Sequence, residues 1–398
     1  MTTASTPSSM SQQRTETDPL RLIDVDHLRF YVGNAKQSAY FYGHCFGFHL
    51  DQYADLTTGS REEASYLLTQ GNIRIVLTTG LHNGHPAQSE VQQYGDGVKE
   101  LAFTVRDATA AYEQAIKNGA ETAYEPVELS GDEAGKVVKA GIKFYGRCVI
   151  TFVSRDGAYA LKGLRDGTST FLPKFKRTKS SALNDYNRAH PCGLKFLDHC
   201  VGNVELGKMD YWVKWFEEVL GFTLFKHFDD KDISTEYSAL MSKVMDSGFG
   251  VIKLPINEPA EGKRKSQIQE YLDWHDDTPG VQHLAFRTDD ELDSVAELRR
   301  RGVDFLMIPE AYYKDVWDRV AKMGWAIKED HERIRQLGIL VDADDEGYLL
   351  QLFTRPLQDR PTLFFEIICR RGSQSFGKGN FKALFESLEK EQARRGNL

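Results

Sequence analysis

Three residues carry most of the chemistry that this sequence offers. Glu366 sits in Leu363-Phe364-Phe365-Glu366-Ile367-Ile368-Cys369, an apolar, aromatic and β-branched run between Arg360-Pro361 and Arg370-Arg371-Gly372. Such a run reads as a buried strand. An ionised carboxylate there must be neutralised, paired with a cation or bound to a metal, because leaving it bare costs too much solvation. His199 in Leu197-Asp198-His199-Cys200-Val201 and His283 in Val281-Gln282-His283-Leu284-Ala285-Phe286 each lie in a similar short strand pattern. Taken singly, Glu366 reads as half of a buried Glu–Arg pair and each imidazole as a satisfied core group. Taken together, two neutral imidazoles and one carboxylate, with open positions opposite, are the ligand set of non-haem Fe(II) oxygenases. Strand alternation puts Leu197, His199 and Val201 on one face, likewise Val281, His283 and Ala285, and likewise Phe364, Glu366 and Ile368. The same rule turns Gln282 away from the His283 face. His199 and His283 are 84 residues apart, and His283 and Glu366 are 83 apart. That spacing suits equivalent places in repeated modules and argues against a single-helix H-E-x-x-H motif.

The elements that would position these residues do repeat. Val25-Asp26-His27-Leu28, a helical stretch and Phe46-Gly47-Phe48 parallel Leu197-Asp198-His199-Cys200, a helical stretch and Leu220-Gly221-Phe222. Gly97-Val98-Lys99-Glu100-Leu101-Ala102-Phe103 parallels Gly280-Val281-Gln282-His283-Leu284-Ala285-Phe286, each followed by an acidic turn and a helix. The expected architecture is α+β: two similar halves, each of two strand–helix–strands modules. Residues 22–160 form the first half, 161–192 a solvated linker rich in Lys, Arg, Ser and Pro, and 193–398 the second half. In the first half Glu100 stands where the second has His283, and Cys148-Val149-Ile150-Thr151-Phe152-Val153 carries no carboxylate to match Glu366. The first half is therefore expected to keep the fold without a metal site, with His27 structural. Residues 130–146 read as a hairpin with glycine turns, and 312–336 as helical pieces inserted before the strand at 348–353. Phe381, Leu384, Phe385 and Leu388 make one apolar helix face behind Gly372, Gly377 and Gly379, a docked terminal helix or a lid.

Composition bounds the rest. The chain has 398 residues, 41% hydrophobic and 27% charged, and a formal net charge of −8. These values are ordinary for a soluble globular protein of two or three domains and disfavour nucleic acid as a partner. The Lys174-Phe175-Lys176-Arg177 run is read as solvated linker rather than a nucleic-acid patch. No apolar run is long enough to span a membrane. Residues 1–21 read as a disordered polar tail. Cys45, Cys148, Cys192, Cys200 and Cys369 never fall in C-x-x-C spacing, which points to free thiols and a cytoplasmic location.

Several motifs together resemble the 4-hydroxyphenylpyruvate dioxygenase family: His199 in Leu-Asp-His, Pro255-Ile256-Asn257-Glu258-Pro259, Ser266-Gln267-Ile268-Gln269-Glu270, Gly280-Val281-Gln282-His283, Leu350-Gln351-Leu352-Phe353, Phe365-Glu366 and Phe376-Gly377-Lys378-Gly379-Asn380-Phe381. The resemblance runs over nearly the whole chain after the tail. It implies the vicinal oxygen chelate fold, in which paired βαβββ modules form open, curled β-barrels with outer helices, here with a C-terminal helix added. It implies one Fe(II) per chain on His199, His283 and Glu366, an arylpyruvate substrate, O2 as co-substrate, homogentisate and CO2 as products, and a homodimer or homotetramer. The same match implies a substrate pocket drawing on Ser242, Asn257, Gln267, Gln282, Gln351, Phe353, Phe364, Asn380 and Phe381. Three alternatives stand beside it: 4-hydroxymandelate synthase on the same substrate, an extradiol ring-cleaving dioxygenase, and a metal-free binding module of the same fold.

Overall fold

The structure, a computed structural model, describes residues 19–179, 181–228, 239–247, 252–260 and 265–396. Of the readings above, most of the N-terminal tail (1–18) lies outside the described residues.

Two curled sheets organise the chain. The first holds β1 (Asp24–Tyr31), β2 (His49–Ala54), β3 (Glu63–Gln70), β4 (Ile73–Gly80), β5 (Gly97–Thr104), β6 (Thr122–Leu129), β7 (Val137–Phe144), β8 (Cys148–Arg155) and the two-residue β9 (Lys176–Arg177). The second holds β10 (Leu194–Asn203), β11 (Thr223–Phe228), β12 (Ala239–Asp246), β13 (Lys253–Ala260), β14 (Gly280–Thr288), β15 (Leu340–Asp344), β16 (Gly347–Phe353) and β17 (Phe364–Arg371). Their orders, β6-β7-β8-β5-β1-β4-β3-β2-β9 and β11-β12-β13-β10-β14-β17-β16-β15, are the same path read from opposite edges, with β9 added to the first. Each half joins two modules through a central antiparallel pair, β1 with β5 and β10 with β14.

Local chemistry explains the modules. The helix Ala35–Phe46 starts at Asn34, whose side chain accepts from the Gln37 amide at 3.1 Å, and stops at Gly47 in the left-handed region (φ +72°). Gly221 (φ +69°) ends the matching helical stretch in the second half. The outward faces of the sheets and the helices on them share one core that crosses between halves. Phe365 of β17 packs on Tyr42 and Phe46 of the first half at 5.8 and 5.1 Å between ring centroids, and Tyr145 packs on Trp212 at 4.7 Å. Phe365 and Ile367 point into this core, which leaves Phe364 and Glu366 to face the barrel interior.

Two expectations change. The hairpin begins at Thr122, earlier than 130–146, because β6 is a mostly exposed edge strand without apolar alternation and with Pro126 inside it. Residues 161–177 do not form a solvated linker. Leu164 and Phe171 are buried against Leu67 and Val76, and Lys176–Arg177 pair with the edge of β2. The segment after β8 plugs the first barrel. The segment after β17, ending in the helix Phe381–Arg394, closes the second.

Side chains fill the interior of the first barrel around His27. Phe171 meets the His27 ring edge-on at 5.0 Å, and the Lys139 ammonium lies 3.0 Å from Glu100. In sheet register Lys139 occupies the place of Gln351, Glu100 that of His283, and Thr151 that of Glu366. His27→Ala is expected to lower stability by about 2–4 kcal/mol, from a cavity and a lost buried hydrogen bond to Asp26, and to leave metal content unchanged. Thermal melting and metal analysis on the same sample check it; loss of metal with melting unchanged would overturn it.

The same barrel sets an acid limit on stability. Burial pushes the Asp26 carboxyl up, but the Arg155 guanidinium, at 2.8 and 2.9 Å, and His27 outweigh it and hold Asp26 well below the usual carboxylate range. A depressed folded-state value means that the stabilisation is present above about pH 4 and is lost as the pH falls below it. Asp26→Asn is expected to be less stable at neutral pH and to flatten the acid side of a melting-temperature profile.

Candidate metal centre and cavity

Glu366 is pinned from both sides. Its Oε2 lies 3.1 Å from His199 Nε2 and 3.4 Å from His283 Nε2. One ligand atom from each of the three residues falls within a group 4.8 Å across. The remaining imidazole nitrogens are engaged: His199 Nδ1 with Asp198 Oδ1 and His283 Nδ1 with Gln282 Oε1, both at 2.9 Å. Holding Nδ1 fixes the ring and aims Nε2 inward, the arrangement that metal-binding imidazoles use. Burial pushes the Glu366 carboxyl up, but the two imidazoles outweigh it and hold it down at about 2. Burial keeps the His283 imidazole below its ordinary value. An ionised carboxylate with two convergent imidazole nitrogens fits a divalent transition metal.

Two bulges create these pairings. Leu197 pairs with Phe286 and His199 with Ala285, so Asp198 is an extra residue on β10; Val201 pairs with His283 and Gly202 with Val281, so Gln282 is extra on β14. A bulge cancels the alternation locally and brings neighbouring side chains to the same side. That is why Gln282 lines the cavity with His283, contrary to the alternation rule. Asp198 is held in turn by Arg370, whose Nη2 and Nε lie at 2.7 and 2.9 Å. Although burial pushes the Asp198 carboxyl up, Arg370 and His199 keep it well below the usual range. Asp26 and Arg155 repeat this clamp in the first half.

The cavity beside the triad is lined by Ser242, Asn257, Gln267 and Gln282, by Phe353, Phe364 and Phe381, and by His199, His283 and Glu366. Pro255 also lines it, and Val201, Leu240, Val244, Phe376, Leu384 and Phe385, to which sequence reasoning gave no pocket role, complete the wall. The signal for Leu384 and Phe385 was present in the apolar face of the terminal helix. Gln351 and Asn380 are buried but do not line the cavity. Gln351 packs behind Gly377, where any Cβ would collide with its amide and where the backbone is left-handed (φ +75°). Asn380 Oδ1 accepts from Tyr312 Oη at 2.6 Å and Arg319 Nη2 at 3.1 Å. Both residues fix the approach to the terminal helix.

Curled sheets of paired modules and a two-histidine, one-carboxylate centre define the class. The Glyoxalase/Bleomycin resistance protein/Dioxygenase superfamily matches residues 24–132 and 196–352. Within it, the chain belongs to the 4-hydroxyphenylpyruvate dioxygenase family. It is 45% identical to the 4-hydroxyphenylpyruvate dioxygenase of Yarrowia lipolytica over 94% of this chain and 93% of that one. It is 44% identical to that of Dictyostelium discoideum over 94% and 99%, and 43% identical to that of Danio rerio over 95% and 93%. Among solved structures, a triple mutant of 4-hydroxymandelate synthase from Streptomyces coelicolor superposes with a TM-score of 0.77 at 28% identity, covering 94% of this chain and 99% of that one.

Proposed function

We propose that the chain converts 4-hydroxyphenylpyruvate and O2 to homogentisate and CO2, with Fe(II) held by His199, His283 and Glu366. The observation that carries this reading is the meeting of three ligand atoms in the wall of a phenylalanine-lined cavity in a chain of this family. Iron, when bound there, supplies chelation of the α-keto acid and activation of O2. The chain's own residues do the rest. Phe353, Phe364 and Phe381 sandwich the aromatic ring and keep water from a reactive oxidant. Ser242, Asn257, Gln267 and Gln282 supply the few hydrogen bonds that fix its orientation in an apolar pocket. Gln351 and Asn380 act indirectly, by seating the terminal segment. Asp198 and Gln282 hold the imidazoles in the tautomer that leaves Nε2 unprotonated.

Asp198→Asn is expected to weaken metal binding by about 10–100-fold, the usual scale for the partner of a ligating imidazole. It should also lower stability, because the buried Arg370 loses its counter-charge. Competition with a fluorescent chelator measures the first effect and thermal melting of the metal-free protein the second.

The decisive assay is product identity. The protein is reconstituted anaerobically with Fe(II), then given 4-hydroxyphenylpyruvate and O2, and the product is identified by chromatography and mass. Homogentisate is expected. 4-Hydroxymandelate would move the assignment to the sister activity, for which the Streptomyces coelicolor likeness is the supporting observation. No turnover at full iron loading would reject both. The reading extends to a cytoplasmic homodimer or homotetramer. In its support, all five cysteines are free, and among the described residues no helix is long and apolar enough to cross a membrane. Light scattering on the purified protein tests the assembly.

A further inference from the structure

A second cavity, of about 300 Å3, lies between the two halves. Four cations line it, Arg74, Lys253, Arg287 and Arg370, against two carboxylates, Asp24 and Asp198. Both carboxylates are already committed. Asp198 is bound by Arg370 and His199 and approached by Arg287 at 3.4 Å, and Asp24 is paired with Arg165 at 2.6 Å. Arg74, only 4% exposed, donates to the backbone carbonyls of Val25 (3.0 Å) and Asp26. Lys253, 7% exposed, donates among the described residues to the Gln374 side-chain oxygen, at 3.1 Å, and lies over the Phe225 ring. Among the described residues neither has a carboxylate within ion-pair distance. Burial, and for Lys253 the neighbouring Arg370 charge, hold both below their ordinary values. Nearby carboxylates (Asp24 and Asp26 for Arg74, Asp198 and Asp246 for Lys253) offset this only in part, and a buried cation without a direct partner is expensive. Beside them Val25, Leu28, Phe196 and Leu197 give the cavity apolar walls.

We infer that this cavity is a binding site for a small organic carboxylate with an apolar body, its anionic end held by Lys253, Arg74 and Arg287 and its body against Leu28 and Phe196. Fixed cations on elements from both halves need no rearrangement to receive an anion, and the volume suits a ligand of this size. The site shares no lining residue with the His199–His283–Glu366 cavity, and the inference does not rest on the reaction proposed there. Its occupant would touch the guanidinium groups that hold Asp198, and so the clamp on His199.

Equilibrium dialysis of the Fe(II)-loaded full chain with 4-fluorophenylacetate tests the inference. Saturable binding is expected, weakened by added chloride and reduced roughly tenfold or more by Lys253→Met and separately by Arg74→Gln, with turnover close to wild type in both and a lower melting temperature for Arg74→Gln, which loses its hydrogen bonds to the Val25 and Asp26 carbonyls. Absent binding, or binding unchanged in both variants, would overturn the site. Inorganic phosphate bound as tightly as the probe would overturn the assignment to organic carboxylates. A crystal structure of the wild-type protein with the probe decides the matter if neither variant folds. Density for its carboxylate against Lys253 and Arg74 supports the site, and density only beside Glu366 overturns it.

Discussion

His283→Ala and Glu366→Ala are expected to lose iron and turnover together while remaining folded. In the proposed centre each supplies one of three protein donors, so metal affinity should fall by more than the roughly 10–100-fold that an outer partner alone is worth. Turnover should fall below about one thousandth of wild type, since both chelation of the keto acid and activation of O2 depend on the bound metal. Folding should survive because the strands are held by neighbours of the ligands. Phe365 of β17 packs on Phe46 and Phe286, at 5.1 and 4.9 Å between ring centroids, and β14 pairs with β10 along most of its length. Removing Glu366 also removes a buried charge, so the metal-free variant should melt close to metal-free wild type. Iron per chain, melting temperature and product formation are read on one preparation. Full turnover by either variant would overturn the centre, and so would iron retained at wild-type affinity.

The meeting of His199, His283 and Glu366 was legible in the sequence because all three break a local rule. Ionisable side chains in apolar strands stand out, and the repeat placed them at matching positions. The fold was legible for the same reason: β1 and β10, or β5 and β14, carry the same short sequence pattern. What surrounds the ligands was less visible. Gln282 was turned the wrong way because period-2 alternation carries no trace of a bulge, and a single extra residue reverses its face. The Asp198–Arg370 clamp joins residues 172 apart, and nothing local links them. A clue was present in the repeat, since Asp-His and a strand-ending Arg occur in both halves. Residues 161–177 looked solvated because the 161–192 segment is rich in Lys, Arg, Ser and Pro, yet Phe171 and Leu164 are enough to seat the segment in the first barrel. Composition reports the exposed side of such a plug and misses the few side chains that anchor it.

The strongest effect away from the centre is expected from the terminal helix. Phe381, Leu384 and Phe385 form one wall of the cavity, and Phe385 packs with Leu240, Val244 and Ile268. Arg395 ties the far end down through Glu270, at 2.7 and 3.1 Å, and Arg319 binds the Gly379 carbonyl at the near end. With the helix in this position the cavity is about 70 Å3, room for a few waters and less than an arylpyruvate requires. A helix forming this wall is placed to act as a lid, giving way for substrate entry and returning to exclude water. Deleting residues 381–398 should leave iron binding near wild type, because all three ligands lie on β10, β14 and β17. It should lower kcat/KM by about 100-fold or more, as one aromatic face and the water barrier are lost together. Arg395→Ala should act more mildly, loosening the latch without removing the wall, with a larger effect on kcat than on iron content. Iron retained with turnover lost separates a lid from a ligand-bearing element. Iron lost with turnover would instead make the helix a structural prop of the centre, and wild-type turnover in the truncated chain would remove it from the mechanism altogether.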